Sequence, residues 1–218
     1  MRNLNSNLKI NNIFFYIIIL VFGFYLTLLK GYGSDRDSPA LIITFINFLE
    51  QGVYSPSRGY GHPIAEFIIG SLAYYFGATI TTYLSFLAFF LSLIFFYKSF
   101  EDFFTENRIT IFILLCLSNS LLFFDNVNSS DFPWSLFFFS SGFFLMRKEK
   151  YLYSCILFAL AVGCRYNFII FVYAAILSHW LINFGKINFF KILIILLSIF
   201  IIIFIIFFPI NFFFSENS

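Results

Sequence analysis

Charged residues are scarce in this chain. They make up 11% of its 218 residues, whereas 61% are hydrophobic and 24% aromatic. A soluble domain of this length has too little interior to bury so much apolar surface, so the composition predicts a lipid environment for most of the chain. The net charge of +2 is too small to favour a nucleic-acid ligand. We therefore expect a membrane protein whose main partner is the lipid bilayer, with no nucleic-acid partner.

Cysteine and histidine are also rare, with three and two residues, and neither type shows metal-ligand spacing. Cys116, Cys155 and Cys164 fall within apolar runs, which is typical of small buried hydrophobic side chains. No phosphate-binding P-loop, GxSxG, HExxH or dinucleotide fingerprint occurs in the sequence. Any chemistry must therefore come from the polar loops.

Long apolar runs, by contrast, dominate the sequence. A helix needs about 20 apolar residues to cross the hydrocarbon. The runs predict about seven membrane spans, over residues 11–29, 79–97, 109–124, 132–146, 151–165, 167–184 and 189–210. No A-x-A-like cleavage site follows the first run, which favours a retained signal-anchor helix. The predicted fold is an all-α polytopic membrane protein, a single membrane domain over residues 1–218.

The basic residues predict how these spans are oriented in the cell (inner or plasma) membrane. With the amino terminus in the cytoplasm, nine basic residues fall on the cytoplasmic side and four on the outer side, in agreement with the positive-inside rule. The cytoplasmic residues are Arg2, Lys9, Lys98, Arg108, Arg147, Lys148, Lys150, Lys186 and Lys191, and the outer ones are Lys30, Arg36, Arg58 and Arg165. Residues 31–78 then form the first outer loop, and residues 125–131 form the second.

The first outer loop is predicted to contain two interfacial helices. One is capped by Ser38, has Pro39 in its first turn and ends at Gly52. It is amphipathic, with Leu41, Phe45, Phe48 and Leu49 on one face and Thr44, Asn47 and Gln51 on the other. The other covers Pro63–Phe76, which is short for a span and suits a surface or re-entrant helix.

Ionisable residues on the outer side are the candidates for a functional site: Asp35, Asp37, Arg58, His62, Asp131 and Arg165. A carboxylate beside the interface can deprotonate an acceptor hydroxyl, or hold a divalent cation against a phosphate. A guanidinium group matches the oxygens of a phosphate. Simpler roles stay open: solvated loop acids, Asp131 as a helix cap, arginines snorkelling to the headgroups and a structural His62 in its turn.

The order of these motifs resembles the amino-terminal half of the GT-C membrane glycosyltransferases, of the aminoarabinose-transferase and protein O-mannosyltransferase type. The motifs are the acidic pair, a helix ending in Gly52-x-Tyr54, then Pro56, Arg58-x-x-Gly61-x-Pro63, Asp131 before Pro133, and Gly163-x-Arg165. The resemblance covers residues 10 to 210, and its specificity lies in the order and spacing of the motifs.

The resemblance implies a specific reaction. A sugar would be transferred from a polyprenyl-phosphate donor to an acceptor hydroxyl at the outer membrane face, with Asp37 as catalytic base and Asp35 as its neighbour. Arg58 and Arg165, with His62 close by, would bind the departing phosphate. The resemblance also allows a divalent metal ion near Asp131, and it implies no other cofactor.

The chain departs from the family pattern in two places. Ser38 follows Asp37, where many relatives have Glu, and family members are usually about twice this length. We therefore expect either a reading frame truncated at the carboxy terminus or a minimal version of the module. Two alternatives to the enzyme stay open: a non-catalytic relative, and a transporter or channel subunit, which would carry ionisable residues inside its spans.

Overall fold

A computed structural model of the chain describes residues 2–32, 37–58, 61–101, 109–119, 128–183 and 189–213. Within these residues the fold is all-helical, as predicted, with eight helices and no strand. The helices are α1 (Arg2–Lys30), α2 (Asp37–Gln51), α3 (Pro63–Ser99), α4 (Ile109–Ser118), α5 (Asp131–Arg147), α6 (Tyr151–Cys164), α7 (Phe168–Ile182) and α8 (Phe189–Phe213).

Two of these helices are long and apolar enough to cross a membrane: α3, and α8 over Phe190–Phe208, with mean hydropathies of 1.9 and 3.2. Shorter apolar helices, including α6, α7 and the part of α1 over Phe15–Lys30, accompany them. Every predicted span therefore overlaps a described helix, although residues 120–124 and 184 lie outside the described part. The number of about seven spans stays a prediction.

Helix α3 joins two elements that the sequence predicts separately, the interfacial helix Pro63–Phe76 and the span 79–97. The junction is Gly77, whose φ of 76° and ψ of −179° interrupt the helical backbone. Only glycine adopts this region readily, because it has no Cβ. Pro63 stands at the start of α3, where its missing N–H is not needed.

Helix α2 follows the prediction at its carboxyl end, where Gly52 has a φ of 69°, as is typical of a helix end. Its beginning differs from the prediction. The helix starts at Asp37, so Ser38 lies inside the first turn and is buried rather than capping the helix.

The buried face of α2 is rotated from the predicted one. Leu41, Ile42 and Phe45 are buried as α2 packs on α3, whereas Leu49 is 45% exposed. Thr44, predicted on the polar face, is also buried, and its hydroxyl donates a hydrogen bond to the Ser55 carbonyl over 2.9 Å. The chain that returns after Gly52 thus covers the side of the helix that an isolated amphipathic helix would expose.

Glycines set the closest approaches around α3. A Cβ on Gly70 would overlap the Phe45 ring of α2, and one on Gly163 of α6 would lie 2.5 Å from Ile64 Cγ1. These contacts bring the first two turns of α3 against the middle of α2 and the carboxyl end of α6. They position the loop between α2 and α3 beside the carboxyl end of α6.

The helices group the connecting segments at two ends of the bundle. At one end, which we call the Asp131 end, the Thr82 hydroxyl donates to the Gly31 carbonyl over 2.6 Å and contacts the Ser129 hydroxyl over 2.7 Å. At the other, the Arg147 end, Arg147 Nε donates to the Ser99 carbonyl over 3.2 Å. Gly31 and Ser129 thus lie at one end of the bundle, and Ser99 and Arg147 lie at the other.

Candidate functional site

Asp131 is the centre of the candidate site. It is the first residue of α5 and is 1% exposed. The N-cap position belongs to Ser130, and no side chain caps the helix there. A helix start favours a nearby anion by about 0.3–1 kcal/mol. Asp131 therefore serves as a buried charge at the helix start instead of the cap that its place before Pro133 suggests.

Two arginines from distant segments face this carboxylate. Arg58 Nη1 lies 4.0 Å from Asp131 Oδ2, and Arg165 Nη1 lies 3.6 Å from Oδ1. These are ion pairs at distances too long for hydrogen bonds. The arginine side chains are 29% and 35% exposed, whereas the carboxylate is 2% exposed. Asp131 therefore lies between two partly exposed guanidinium groups, a type of side chain that suits an anionic ligand such as a phosphate.

Aromatic rings enclose the same group. The His62 and Tyr166 rings lie nearly parallel, at 4° with centroids 5.8 Å apart. Arg165 Cζ lies 5.8 Å from the Phe132 ring centroid, within the range of a cation–π contact. Tyr166 itself is 50% exposed. The Arg165 guanidinium group therefore packs against the Phe132 ring, next to the stacked His62 and Tyr166.

His62 is neutral in this environment. Burial lowers the pKa of its imidazole, and the charges of Arg58 and Arg165 act in the same direction, against those of Asp131 and Glu66. A neutral imidazole can donate one hydrogen bond and accept another. Its Nδ1 is buried and has no hydrogen-bond partner among the residues that the structure describes.

Glu66 is a residue that the sequence analysis missed. It is fully buried, and its carboxylate accepts hydrogen bonds from the Tyr54 hydroxyl, the Ser57 backbone N–H (2.9 Å) and the Ser57 hydroxyl. Burial, followed by the carboxylate's charge, raises the pKa of Tyr54 far above its usual value. These bonds tie the loop before α3 to the first turn of that helix, and Arg58 directly follows Ser57.

Glu66 is an acidic residue in the first turn of an otherwise apolar helix. From the sequence alone, it only interrupts a short apolar run. Its role depends on Tyr54 and Ser57, twelve and nine residues earlier, and hydrogen bonds over that range follow no helical or strand period. An unexplained acid in an apolar segment is still a usable signal, because a buried carboxylate needs partners.

The turn before α3 requires glycine at position 61. Gly61 has a φ of 74°, and a Cβ there would overlap the Tyr54 hydroxyl and lie 3.0 Å from Pro56 Cβ. The Gly61 N–H donates to the Arg58 carbonyl. The Pro56, Arg58, Gly61, Pro63 motif is therefore a compact turn that presents Arg58 and His62 at the Asp131 end.

The structure describes only part of the acidic pair, Asp35 and Asp37. Asp35 and the side chain of Asp37 lie outside the described residues, but the backbone of Asp37 begins α2. One turn later, Leu41 packs in a buried cluster with Cys164, the last residue of α6. Arg165 follows directly. The first turn of α2 is therefore at the Asp131 end of the bundle.

No described group of three or more His, Cys, Asp or Glu side chains is arranged to hold a metal ion. Asp131, the predicted metal ligand, has a guanidinium group beside each carboxylate oxygen, and these cations compete with a metal for the same atoms. The divalent ion stays a prediction, and no step below depends on it.

The sequence-predicted residues Arg58, His62, Asp131 and Arg165 thus come together from three separate segments of the chain. Chemically, the group can bind an anion, and Asn128 Oδ1, three residues before Asp131, is a buried acceptor with no described hydrogen-bond partner. Comparisons with models of protein families, with curated proteins and with solved structures find no match to this chain.

Proposed function

We propose that this chain is a membrane glycosyltransferase that moves a sugar from a polyprenyl-phosphate donor to an acceptor hydroxyl at the outer face of the cell membrane. The observation that carries the proposal is the convergence of Arg58 and Arg165 on the buried carboxylate of Asp131. The pair of partly exposed guanidinium groups suits the phosphate of the sugar donor.

The proposal places the helices across a bilayer in about seven spans, with the amino terminus in the cytoplasm and the Asp131 end outside. The apolar surface supports this placement. Many large hydrophobic side chains along the helices are exposed, among them Ile170 (70%), Leu115 (67%) and Phe190 (69%). A soluble monomer rarely exposes contiguous apolar surface of this extent, whereas hydrocarbon is its natural solvent.

The reaction is a single displacement at the anomeric carbon. The carboxylate of Asp37 takes the proton of the acceptor hydroxyl as the acceptor oxygen bonds to that carbon. The bond from the carbon to the phosphate oxygen breaks, and its electron pair leaves with the polyprenyl phosphate. Arg58 and Arg165 stabilise the negative charge that grows on the leaving phosphate. Inversion at the anomeric carbon follows from a single attack on the face opposite the leaving group.

The remaining residues have supporting roles in this proposal. Asp131 orients both guanidinium groups, and Asp35 lies beside the base. Neutral His62 donates a hydrogen bond to the polyprenyl-phosphate sugar or accepts one from it. A divalent ion, when bound, would add positive charge at the phosphate.

The distribution of buried ionisable groups supports an enzyme over a transporter or channel subunit. A transporter carries such groups near the bilayer midplane. Among the described residues, buried His, Asp and Glu side chains stand directly before α3 (His62), in its first turn (Glu66), at the start of α5 (Asp131) and in the last turn of α7 (His179). In the proposed placement all four are near the membrane surfaces.

Sugar transfer from a polyprenyl-phosphate donor by the purified full chain tests the proposal. Asp37→Asn is expected to lower the rate by a factor of about 100 or more, because general-base catalysis typically contributes 10²–10⁴-fold. The matched control is Glu50→Gln, which removes an exposed acid from the other end of α2 and should leave the rate unchanged.

Two results would contradict the proposal. Equal rates for the parent and Asp37→Asn would remove Asp37 as the base. No transfer by the folded parent protein, with any donor of this class, would favour the non-catalytic relative.

A further inference from the structure

The proposed reaction leaves one buried carboxylate near the site, that of Glu66, without a role. Glu66 is fully buried in the first turn of α3, and both of its oxygens accept hydrogen bonds. Oε1 accepts from the backbone N–H of Ser57 over 2.9 Å and from the Ser57 hydroxyl, and Oε2 accepts from the Tyr54 hydroxyl. A carboxylate accepts all three bonds, whereas the amide of glutamine would turn its NH2 group towards at least one donor.

These bonds hold the backbone one residue before Arg58. Ser57 donates to the Glu66 carboxylate twice, from its backbone and from its side chain, so the chain is fixed where Arg58 leaves it. Arg58 Nη1 then lies 4.0 Å from Asp131 Oδ2. A long arginine side chain loses rotamer freedom when it binds a ligand, and a backbone that is already held lowers the remaining cost of ordering.

The same carboxylate also holds the rest of the loop. The Tyr54 hydroxyl, which it binds, lies where a Cβ on Gly61 would be. The Gly61 N–H donates to the Arg58 carbonyl, and the Glu66 N–H donates to the His62 carbonyl over 2.9 Å. Arg58 therefore stands in a turn that is anchored on both sides to the first turn of α3.

We propose that Glu66 is a positioning residue, which acts through Ser57 and Tyr54 to hold Arg58 in the orientation that meets the phosphate of the sugar donor. The identity of that ligand rests on the proposed function, whereas the effect of Glu66 on Arg58 does not depend on sugar transfer. A purely structural Glu66 would lower the melting temperature without a specific change at Arg58.

Modification of arginines by phenylglyoxal, followed residue by residue with mass spectrometry, tests the positioning without a ligand. Arg58 and Arg165 flank the same carboxylate with side chains 29% and 35% exposed, so Arg165 is the reference within each sample. In Glu66→Gln, measured well below its melting temperature, the ratio of Arg58 to Arg165 modification should rise by about fivefold or more. The loop opens more often once charge-assisted hydrogen bonds are lost.

Two further variants and two controls separate positioning from general loss of stability. Tyr54→Phe and Ser57→Ala each remove one side-chain bond to Glu66 and should raise the ratio less, and they decide the matter if Glu66→Gln does not fold. Ser55→Ala removes a hydroxyl from an exposed residue of the same loop and should leave the ratio unchanged. Ser154→Ala removes a buried hydroxyl that donates to the Gly142 carbonyl, away from the site, and should lower the melting temperature alone.

An unchanged ratio in the folded Glu66→Gln protein, or in both Tyr54→Phe and Ser57→Ala if Glu66→Gln does not fold, would overturn the proposal. An equal rise in Ser154→Ala would overturn it as well, because the effect would then reflect general loosening of the fold.

Sugar transfer provides a second readout, because a residue that acts through Arg58 has no effect once Arg58 is removed. Glu66→Gln should lower kcat/KM for the polyprenyl-phosphate donor by about fivefold or more in the parent and in an Arg165→Gln background. In an Arg58→Gln background it should cause no further loss, and an additive loss there would contradict the proposal. A parent protein without transfer activity contradicts only the proposed function, and the phenylglyoxal ratio then decides the role of Glu66.

Discussion

Two buried carboxylates organise the candidate site, and they differ in their partners. Asp131 faces two guanidinium groups at ion-pair distance, and Glu66 accepts hydrogen bonds from Tyr54 and Ser57. A buried carboxylate without such partners costs several kcal/mol, so each depends on its neighbours. The contribution of each residue is therefore measurable by replacing it with its neutral isostere.

Glu66→Gln is expected to lower the free energy of unfolding by about 1–3 kcal/mol, because charge-assisted hydrogen bonds are lost and an amide donor faces the Tyr54 and Ser57 donors. Thermal unfolding in detergent measures the change. Glu50→Gln, at an exposed site on α2, is the control and should shift stability by less than about 0.5 kcal/mol. Equal shifts in the two variants would mean that the Glu66 bonds contribute nothing.

Asp131→Asn is expected to destabilise the protein by about 1–2 kcal/mol, because two guanidinium groups then repel each other without their shared anion. The partial exposure of the arginines keeps this value below that of a fully buried pair. A double-mutant cycle with Arg165→Gln isolates the interaction. Simple additivity of the two substitutions would show that the ion pair is not formed in the membrane-bound protein.

The stability of the fold should fall on acidification through His62. Its pKa is lowered in the folded protein, so the unfolded chain, with a pKa of about 6.5, binds the proton first. The His62 contribution is therefore complete above about pH 6.5 and declines as the pH falls from there towards the folded-state pKa. Melting temperatures from pH 7.5 to 5.0 should fall more for the parent than for His62→Gln, and parallel curves would contradict this.

At the scale of elements, α3 joins the segment predicted to be interfacial to a predicted membrane span through one residue. The backbone of Gly77 has a φ of 76° and a ψ of −179°, and no atom lies within 4 Å of a Cβ built there. The requirement for glycine is therefore conformational and does not come from packing. The change of direction at this point allows Pro63–Phe76 to lie beside α2 while the rest of α3 continues through the bundle.

Gly77→Ala is expected to destabilise the protein by about 1–3 kcal/mol, because alanine must adopt a backbone region that is nearly exclusive to glycine. The measurement is thermal or denaturant unfolding in detergent. Ala78→Gly is the comparison at the next position, where only the ordinary cost of glycine in a helix, about 0.5–1 kcal/mol, is expected. A stabilised Gly77→Ala protein would mean that α3 is continuous.

At the scale of the whole molecule, the described contacts separate two ends, which we propose lie on opposite sides of a membrane. Single cysteines at exposed positions can test this after Cys116, Cys155 and Cys164 are replaced by alanine. Asn167→Cys at the Asp131 end should react with a membrane-impermeant maleimide on intact cells. Lys150→Cys at the Arg147 end should react only after permeabilisation. Both positions are exposed.

Labelling of both cysteines on intact cells would contradict the proposed placement. Labelling of Lys150→Cys alone would mean that the protein has the opposite orientation in the membrane. The buried Ser129 is a negative control, because a cysteine there should stay unreactive on either side. This experiment tests topology without reference to enzymatic activity.

Local sequence determined the elements. Apolar runs of suitable length produced helices where they were predicted, Pro63 begins α3, and the positive-φ glycines Gly52 and Gly77 lie at the predicted boundaries. These features depend on residues close together in the chain, so composition and turn chemistry suffice to find them. The candidate residues Arg58, His62, Asp131 and Arg165 were also identifiable, since ionisable side chains are rare in so apolar a sequence.

Only the tertiary structure decided what those residues touch. Arg58 and Arg165 meet at Asp131 because α3, α5 and α6 pack together, and Thr44 is buried because the loop after α2 folds back over it. Glu66 became the anchor of that loop for the same reason. Such contacts join segments whose separation follows no local period, so their partners are set by helix packing, which the order of residues along the chain does not reveal.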